Sequence, residues 1–216
     1  VEGAQRKVEE VNFAMRKNVL DYDDVMNKQR QVIYAERNKI LDGKDLMELI
    51  ETVTASTTQR ICEEFCYGDA DEWDLEGLEK WLTELTGKTD LPEFTEDTKF
   101  EQLEEDVTAF VQKTFDEKTQ KLGEEVMREL AAQVMLRVID TRWMAYLQEM
   151  DYLKTGIGLR GFGQRDPLVE YKTEAYQAFT LLVNTMYEDF LRTILRLELV
   201  NRPRQNTEAE AFQNAH

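Results

Sequence analysis

The first 41 residues contain no proline, and apolar side chains recur along them at Val8, Val11, Met15, Val19, Tyr22, Met26 and Ile33, with charges between. Spacings of three, four and seven place those side chains on one face of an α-helix. The pattern predicts one uninterrupted helix over 1–41, with Gly43 as its stop. At 1.5 Å per residue such a helix is about 60 Å long. It exceeds the diameter of a compact small domain, so it is expected to act as a strut along which other elements rest.

The remainder reads the same way. Three prolines and ten glycines are few for a turn-rich β protein, and Glu, Lys, Leu, Gln, Met and Ala dominate long stretches. The expected class is all-α, and a hydrophobic fraction of 42% suits a packed core. The net charge of −17 argues against a nucleic-acid partner, which requires a basic face. That charge is unevenly spread. Residues 42–106 hold 21 acidic and 5 basic side chains, while the other 151 residues hold 23 and 22. The asymmetry marks a boundary and predicts a small acidic helical domain over 42–123. Within it a helix spans 45–67 and another 99–122, the latter burying Leu103, Val107, Phe110, Val111 and Phe115. The broken stretch 68–98 supplies Trp73, Leu78, Trp81, Leu82, Leu85 and Phe94 to a small core.

Residues 124–200 predict two more helices. The first runs from Glu124 to about Thr155 and turns Val126, Leu130, Val134, Val138, Trp143, Leu147 and Met150 inward. A loop, GIGLRGFGQRDP, covers 156–167. Asp166 is placed to cap the next helix and Pro167 to open it. That helix extends to about Val200 with Tyr171, Ala175, Phe179, Leu182, Met186, Phe190 and Ile194 on one side. Two long helices joined by about ten residues pack as an antiparallel hairpin. Residues 201–216 read as a polar tail. No apolar run approaches the roughly 20 residues of a membrane span, and no signal peptide opens the chain, so a cytoplasmic protein meeting membranes only peripherally is expected.

Catalytic machinery is hard to assemble from these residues. Cys62 and Cys66 share a helical face, but His216 is the only histidine, and two thiolates do not complete a tetrahedral metal site. They read as buried, reduced thiols. Gly156, Gly158 and Gly161 spell GxGxxG, yet a helix precedes them where the dinucleotide motif needs a strand. No P-loop is present. Asp21, Asp23 and Asp24, around Tyr22 in LDYDDV, fan apart on a helix and suit a docking face better than a metal site. The loop is different. Lys154, Arg160, Arg165 and Lys172 outnumber Asp166 and Glu170, and Leu159 and Phe162 add apolar surface at an exposed turn. Glycines, cations and one aromatic ring at a hairpin end predict a contact device.

Ile139 to Glu174, IDTRWMAYLQEMDYLKTGIGLRGFGQRDPLVEYKTE, resembles the two-helix finger of the SecA family, the motor ATPases of bacterial preprotein translocation. Glu2 to Arg30, EGAQRKVEEVNFAMRKNVLDYDDVMNKQR, is similar to that family's long scaffold helix, and 42–123 resembles its helical wing in position and acidity. The resemblance covers about 200 residues and implies a fragment: 1–41 scaffold helix, 42–123 wing, 124–200 scaffold continuation and finger with its tip at 156–167, and 201–216 tail. The nucleotide-binding motor domains would lie upstream of Val1, so ATP and magnesium belong to the longer protein and no cofactor to this part. The implied partners are the SecYEG channel, unfolded preproteins and the chain's own motor domains, at the inner face of the cell membrane, with a homodimer possible. The resemblance gives preprotein and channel contact to Leu159, Arg160, Gly161, Phe162, Gly163, Gln164 and Arg165. It gives motor-domain docking to Asp21, Tyr22, Asp23 and Asp24. Phe162 stands where the family usually has tyrosine, which keeps the aromatic surface but removes a hydrogen-bonding hydroxyl. Tyr146 stands where histidine is common. The competing expectation is a non-enzymatic helical adaptor that binds partners through its acidic segment.

Overall fold

The computed structural model describes the backbone of residues 2–43, 46–95, 98–160 and 166–198, with side chains described from Leu20 onward apart from 158–160. All regular structure among the described residues is helical. The order is α1 (Glu2–Asp42), α2 (Leu46–Phe65), a 3₁₀ turn (Ala70–Glu72), α3 (Leu75–Thr86), α4 (Phe100–Leu122), α5 (Glu124–Arg160) and α6 (Pro167–Arg196).

The helix ends follow local chemistry. Gly43 terminates α1 at φ 64°, a left-handed conformation that costs glycine little. The Asp74 carboxylate accepts from the Gly77 amide at 2.9 Å to open α3, and Gly87 closes it at φ 74°. A larger residue at Gly77 would displace its neighbours, because a Cβ there would press on the Asp74 carboxylate and lie 2.7 Å from Phe65 Cε1. Asp166 Oδ1 accepts from the Leu168 amide at 2.9 Å, with Pro167 in the first turn, as the sequence predicts.

Contacts across the helices define the packing. Tyr146 of α5 meets Phe179 and Ala175 of α6, and farther back Arg142 bonds Asp189, so α5 and α6 run antiparallel. Helix α1 lies along both. It is parallel to α6, with Tyr22 against Tyr171 and Gln29 against Ala175, and antiparallel to α5. Helices α2, α3 and α4 pack mainly on one another and on α5 and α6. One apolar cluster runs through the molecule from Ile33 and Ile40 through Ile50, Leu82 and Val111 to Met135 and Phe190. Each such side chain contributes about 1.5–3 kcal/mol on burial.

Three expectations require correction. The loop does not begin at Gly156, because α5 continues helically to Arg160. Two helical glycines, Gly156 and Gly158, cost about 1 kcal/mol each. Between them Ile157 is fully buried, and its burial offsets that cost. The inward stripe of the first half of α5 is also shifted. Met127, Ala131, Met135 and Ile139 are buried; Leu130, Val134 and Val138 are only partly so, and Val126 is 43% exposed. Both adjoining stripes are apolar, so periodicity alone could not choose between them. Helix α6 ends at Arg196, with Leu197 extended.

Candidate functional site

The hairpin formed by α5 and α6 carries the candidate contact residues at its end. Gly161, Phe162, Gly163, Gln164 and Arg165 lie outside the described residues, and of Leu159 and Arg160 only the helical backbone is described. What the structure establishes is how α5, which leads to that end, is held against α1. Three polar contacts join α1 to α5 in a single antiparallel register. At the far end Arg37 Nε lies 3.2 Å from Asp140 Oδ1. In the middle the Tyr146 hydroxyl donates to Gln29 Oε1 at 2.9 Å. Nearest the hairpin end Lys154 Nζ lies 3.0 Å from Asp23 Oδ1.

The middle contact is buried. Gln29 is 8% exposed, and its Nε2 donates to the Ala175 carbonyl at 3.1 Å, which the Tyr146 hydroxyl also reaches at 3.3 Å. Three helices thus meet in a closed polar triangle. Trp143 stacks on Tyr146 and Phe179 meets its edge, so burial pushes the phenol well above its ordinary range and keeps the hydroxyl a donor. Pattern reading missed Gln29, although it is the polar member of the stripe formed with Tyr22, Met26, Ile33 and Ile40.

The contact nearest the hairpin end is partly open to solvent. The Lys154 ammonium sits 5.8 Å from the Tyr22 ring centre as well as against Asp23. Tyr22 packs edge-on against Tyr171 at 4.7 Å, and burial pushes the Tyr171 phenol up to about 12. Of the four α1 residues expected to dock a neighbouring domain, Tyr22 and Asp23 therefore engage the hairpin. Asp24 is exposed and pairs with Lys28 at 2.8 Å.

A second polar knot ties α2 and α3 to the hairpin. Glu188 of α6 accepts from Arg60 at 3.0 Å, from the Trp81 indole at 3.1 Å and from Arg192 at 2.9 Å. Elsewhere a cleft of about 620 Å³ opens where α3, α4 and α6 end, lined by Lys88, Lys118, Lys121 and Arg196 among others. Of its cations Lys88 pairs with Glu117 at 2.8 Å, while two answer helix carbonyls, Lys118 donating to Leu195 O at 2.8 Å and Arg196 to Glu84 O at 3.2 Å. That is the expected placement of cations at helix C-termini.

Cys62 and Cys66 are free and buried. Burial pushes the Cys62 thiol up to about 12 and raises Cys66 as well, so neither is an activated nucleophile. Among the described residues no three His, Cys, Asp or Glu side chains gather as a metal ion would require. No described helix is long and apolar enough to cross a membrane. Gly156 and Gly158 lie inside α5, which removes the strand-to-turn geometry that a dinucleotide needs.

A long helix braced along a hairpin, with shorter helices knotted to its side, defines an all-helical scaffold module. Residues 1–198 match the model of the SecA wing and scaffold domain, and the chain belongs to that family. It is 40% identical over 222 residues to the protein translocase subunit SecA of Syntrophomonas wolfei, covering 99% of this chain and 26% of that protein. The same-named subunits of Cutibacterium acnes and Carboxydothermus hydrogenoformans are 42% and 36% identical, covering 94% and 100% of this chain but 23% and 25% of theirs. The chain spans about a quarter of the length of these relatives.

Proposed function

We propose that the chain is the scaffold, wing and two-helix-finger part of a SecA-type preprotein translocase. In this reading residues 1–41 form the scaffold helix, 42–123 the wing and 124–200 the finger region. The ATP- and magnesium-dependent motor domains belong to the rest of the longer protein. The finger end, Leu159 to Arg165, contacts an unfolded preprotein and the SecYEG channel on the cytoplasmic side of the membrane, with Phe162 providing the gripping surface. The α1 segment Asp21–Asp24 docks the motor domains, whose movement reaches the finger through α1, and the finger in turn restrains their ATP hydrolysis at rest. The observation that carries this reading is the match to the wing and scaffold family over residues 1–198. The continuous packing of α1 along α5 and α6 supports its mechanical side, because a stiff strut held at several points passes displacement to its neighbour.

The test places a single cysteine at Phe162 in the longer protein, with Cys62, Cys66 and any other cysteines replaced. Disulfide crosslinking is then measured to a preprotein stalled in the channel. Strong ATP-dependent crosslinks at 162, and weak ones from a cysteine at the exposed mid-helix residue Tyr176, are the expected result. Translocation proceeding with no crosslink at 162 would overturn the gripping role.

A further inference from the structure

The three contacts between α1 and α5 differ in kind. Gln29 with Tyr146 is buried and pinned to α6 as well, so it sets the register of the three helices. Asp23 with Lys154 is the described side-chain ion pair nearest the hairpin end, and both partners remain substantially solvated, at 53% and 40% side-chain exposure. Beyond it α5 continues for only six residues, through two glycines whose helical state is intrinsically poor. Ile157 is the buried anchor of that last stretch and lies one turn past Lys154.

We propose that Asp23 and Tyr22 of α1, with Lys154 of α5 and Tyr171 of α6, form a releasable latch that holds the last turns of α5 helical and fixes the hairpin end on the long helix. The latch joins an ion pair, a cation over an aromatic ring and an edge-to-face ring contact at one place. Exposed ion pairs and cation–π contacts are individually weak, so the latch holds the end without locking it. Tyr22 and Asp23 are thereby positioning residues that act inward on the hairpin. The inference stands on the chain's own geometry and does not depend on the translocation reading.

Hydrogen exchange of the 216-residue chain, followed by mass spectrometry, tests it. Asp23→Lys and Lys154→Met are each expected to speed exchange of the Thr155–Arg160 amides about three- to tenfold, the range that losing one or two such contacts implies. Protection over Ile139–Tyr146 should stay at its wild-type level. The exchanged pair, Asp23→Lys with Lys154→Asp, is expected to bring Thr155–Arg160 back to within twofold of wild type. The latch is overturned if both single variants exchange as wild type there, or if the exchanged pair stays as unprotected as Asp23→Lys while Ile139–Tyr146 remains protected. Should Asp23→Lys lose protection throughout, Lys154→Met alone decides, since it keeps the stem and removes only the charge.

Discussion

Single atoms decide the outcome at Gly77. An alanine methyl there would press on Asp74 Oδ2 and on the Phe65 ring, both closer than real Cβ contacts allow. Helix propensity alone would favour alanine by about 1 kcal/mol. Displacing the capping carboxylate and a packed ring costs about 1–3 kcal/mol, so the clash wins. Gly77→Ala is therefore expected to lower the urea midpoint. Cys62 shows the same dominance of local environment. With its thiol pushed to about 12, roughly one molecule in ten thousand carries a thiolate at pH 8. Ellman's reagent should label it at the rate of global unfolding, so labelling within seconds in the native protein would contradict the burial. Residue-scale chemistry of this kind was only partly legible beforehand. The thiols read as buried, whereas the tight approach at Gly77 depends on Phe65 arriving from another helix.

Among the elements, α6 and α5 show what periodicity can and cannot settle. On α6 six of the seven expected inward residues are buried and Phe179 partly so, with Leu191 and Leu195 buried beside them. On α5 two neighbouring stripes are apolar, and the choice between Val126–Val138 and Met127–Ile139 belongs to the helices packed around it. The continuation of α5 through Gly156 and Gly158 was illegible for the same reason, since the burial of Ile157 is a tertiary fact. The triangle of Gln29, Tyr146 and the Ala175 carbonyl makes an element-scale prediction. Tyr146→Phe leaves the buried Gln29 oxygen without a donor and should cost about 1–3 kcal/mol. Gln29→Leu added to Tyr146→Phe removes both partners, so the double variant should be more stable than the sum of the singles implies. Additive losses in denaturant unfolding would show that the triangle does not act as a unit.

Over the whole molecule, burial sets a characteristic response to alkali. Cys62 is raised from 9.0 to about 12 and Tyr171 from 10.0 to about 12, with Tyr146 and Tyr187 also raised by burial. The unfolded chain loses these protons first, so it binds fewer protons than the native state as pH climbs. Stability is therefore fully present below about pH 9 and falls from there towards pH 12. Denaturant midpoints measured across that range should decline, and a flat profile would be inconsistent with buried phenols and thiols. The acidic excess between residues 42 and 106 acts in the opposite regime. Self-repulsion there is screened by salt, so the melting temperature should rise between low ionic strength and about 0.5 M sodium chloride. Charge asymmetry was visible in the sequence, but the knot at Glu188 that fastens α2 and α3 to α6 was not, because its partners lie more than 100 residues apart.

The register of the long helix has a geometric corollary. From Asp23 to its beginning at Glu2, α1 extends about 30 Å in the direction in which α5 has only about 9 Å left to run. The described part of α1 between Glu2 and Asp23 is thus about 20 Å longer than the described part of α5 beyond Lys154. Each degree by which α1 tilts about the Asp23–Lys154 contact moves Glu2 by about half an ångström.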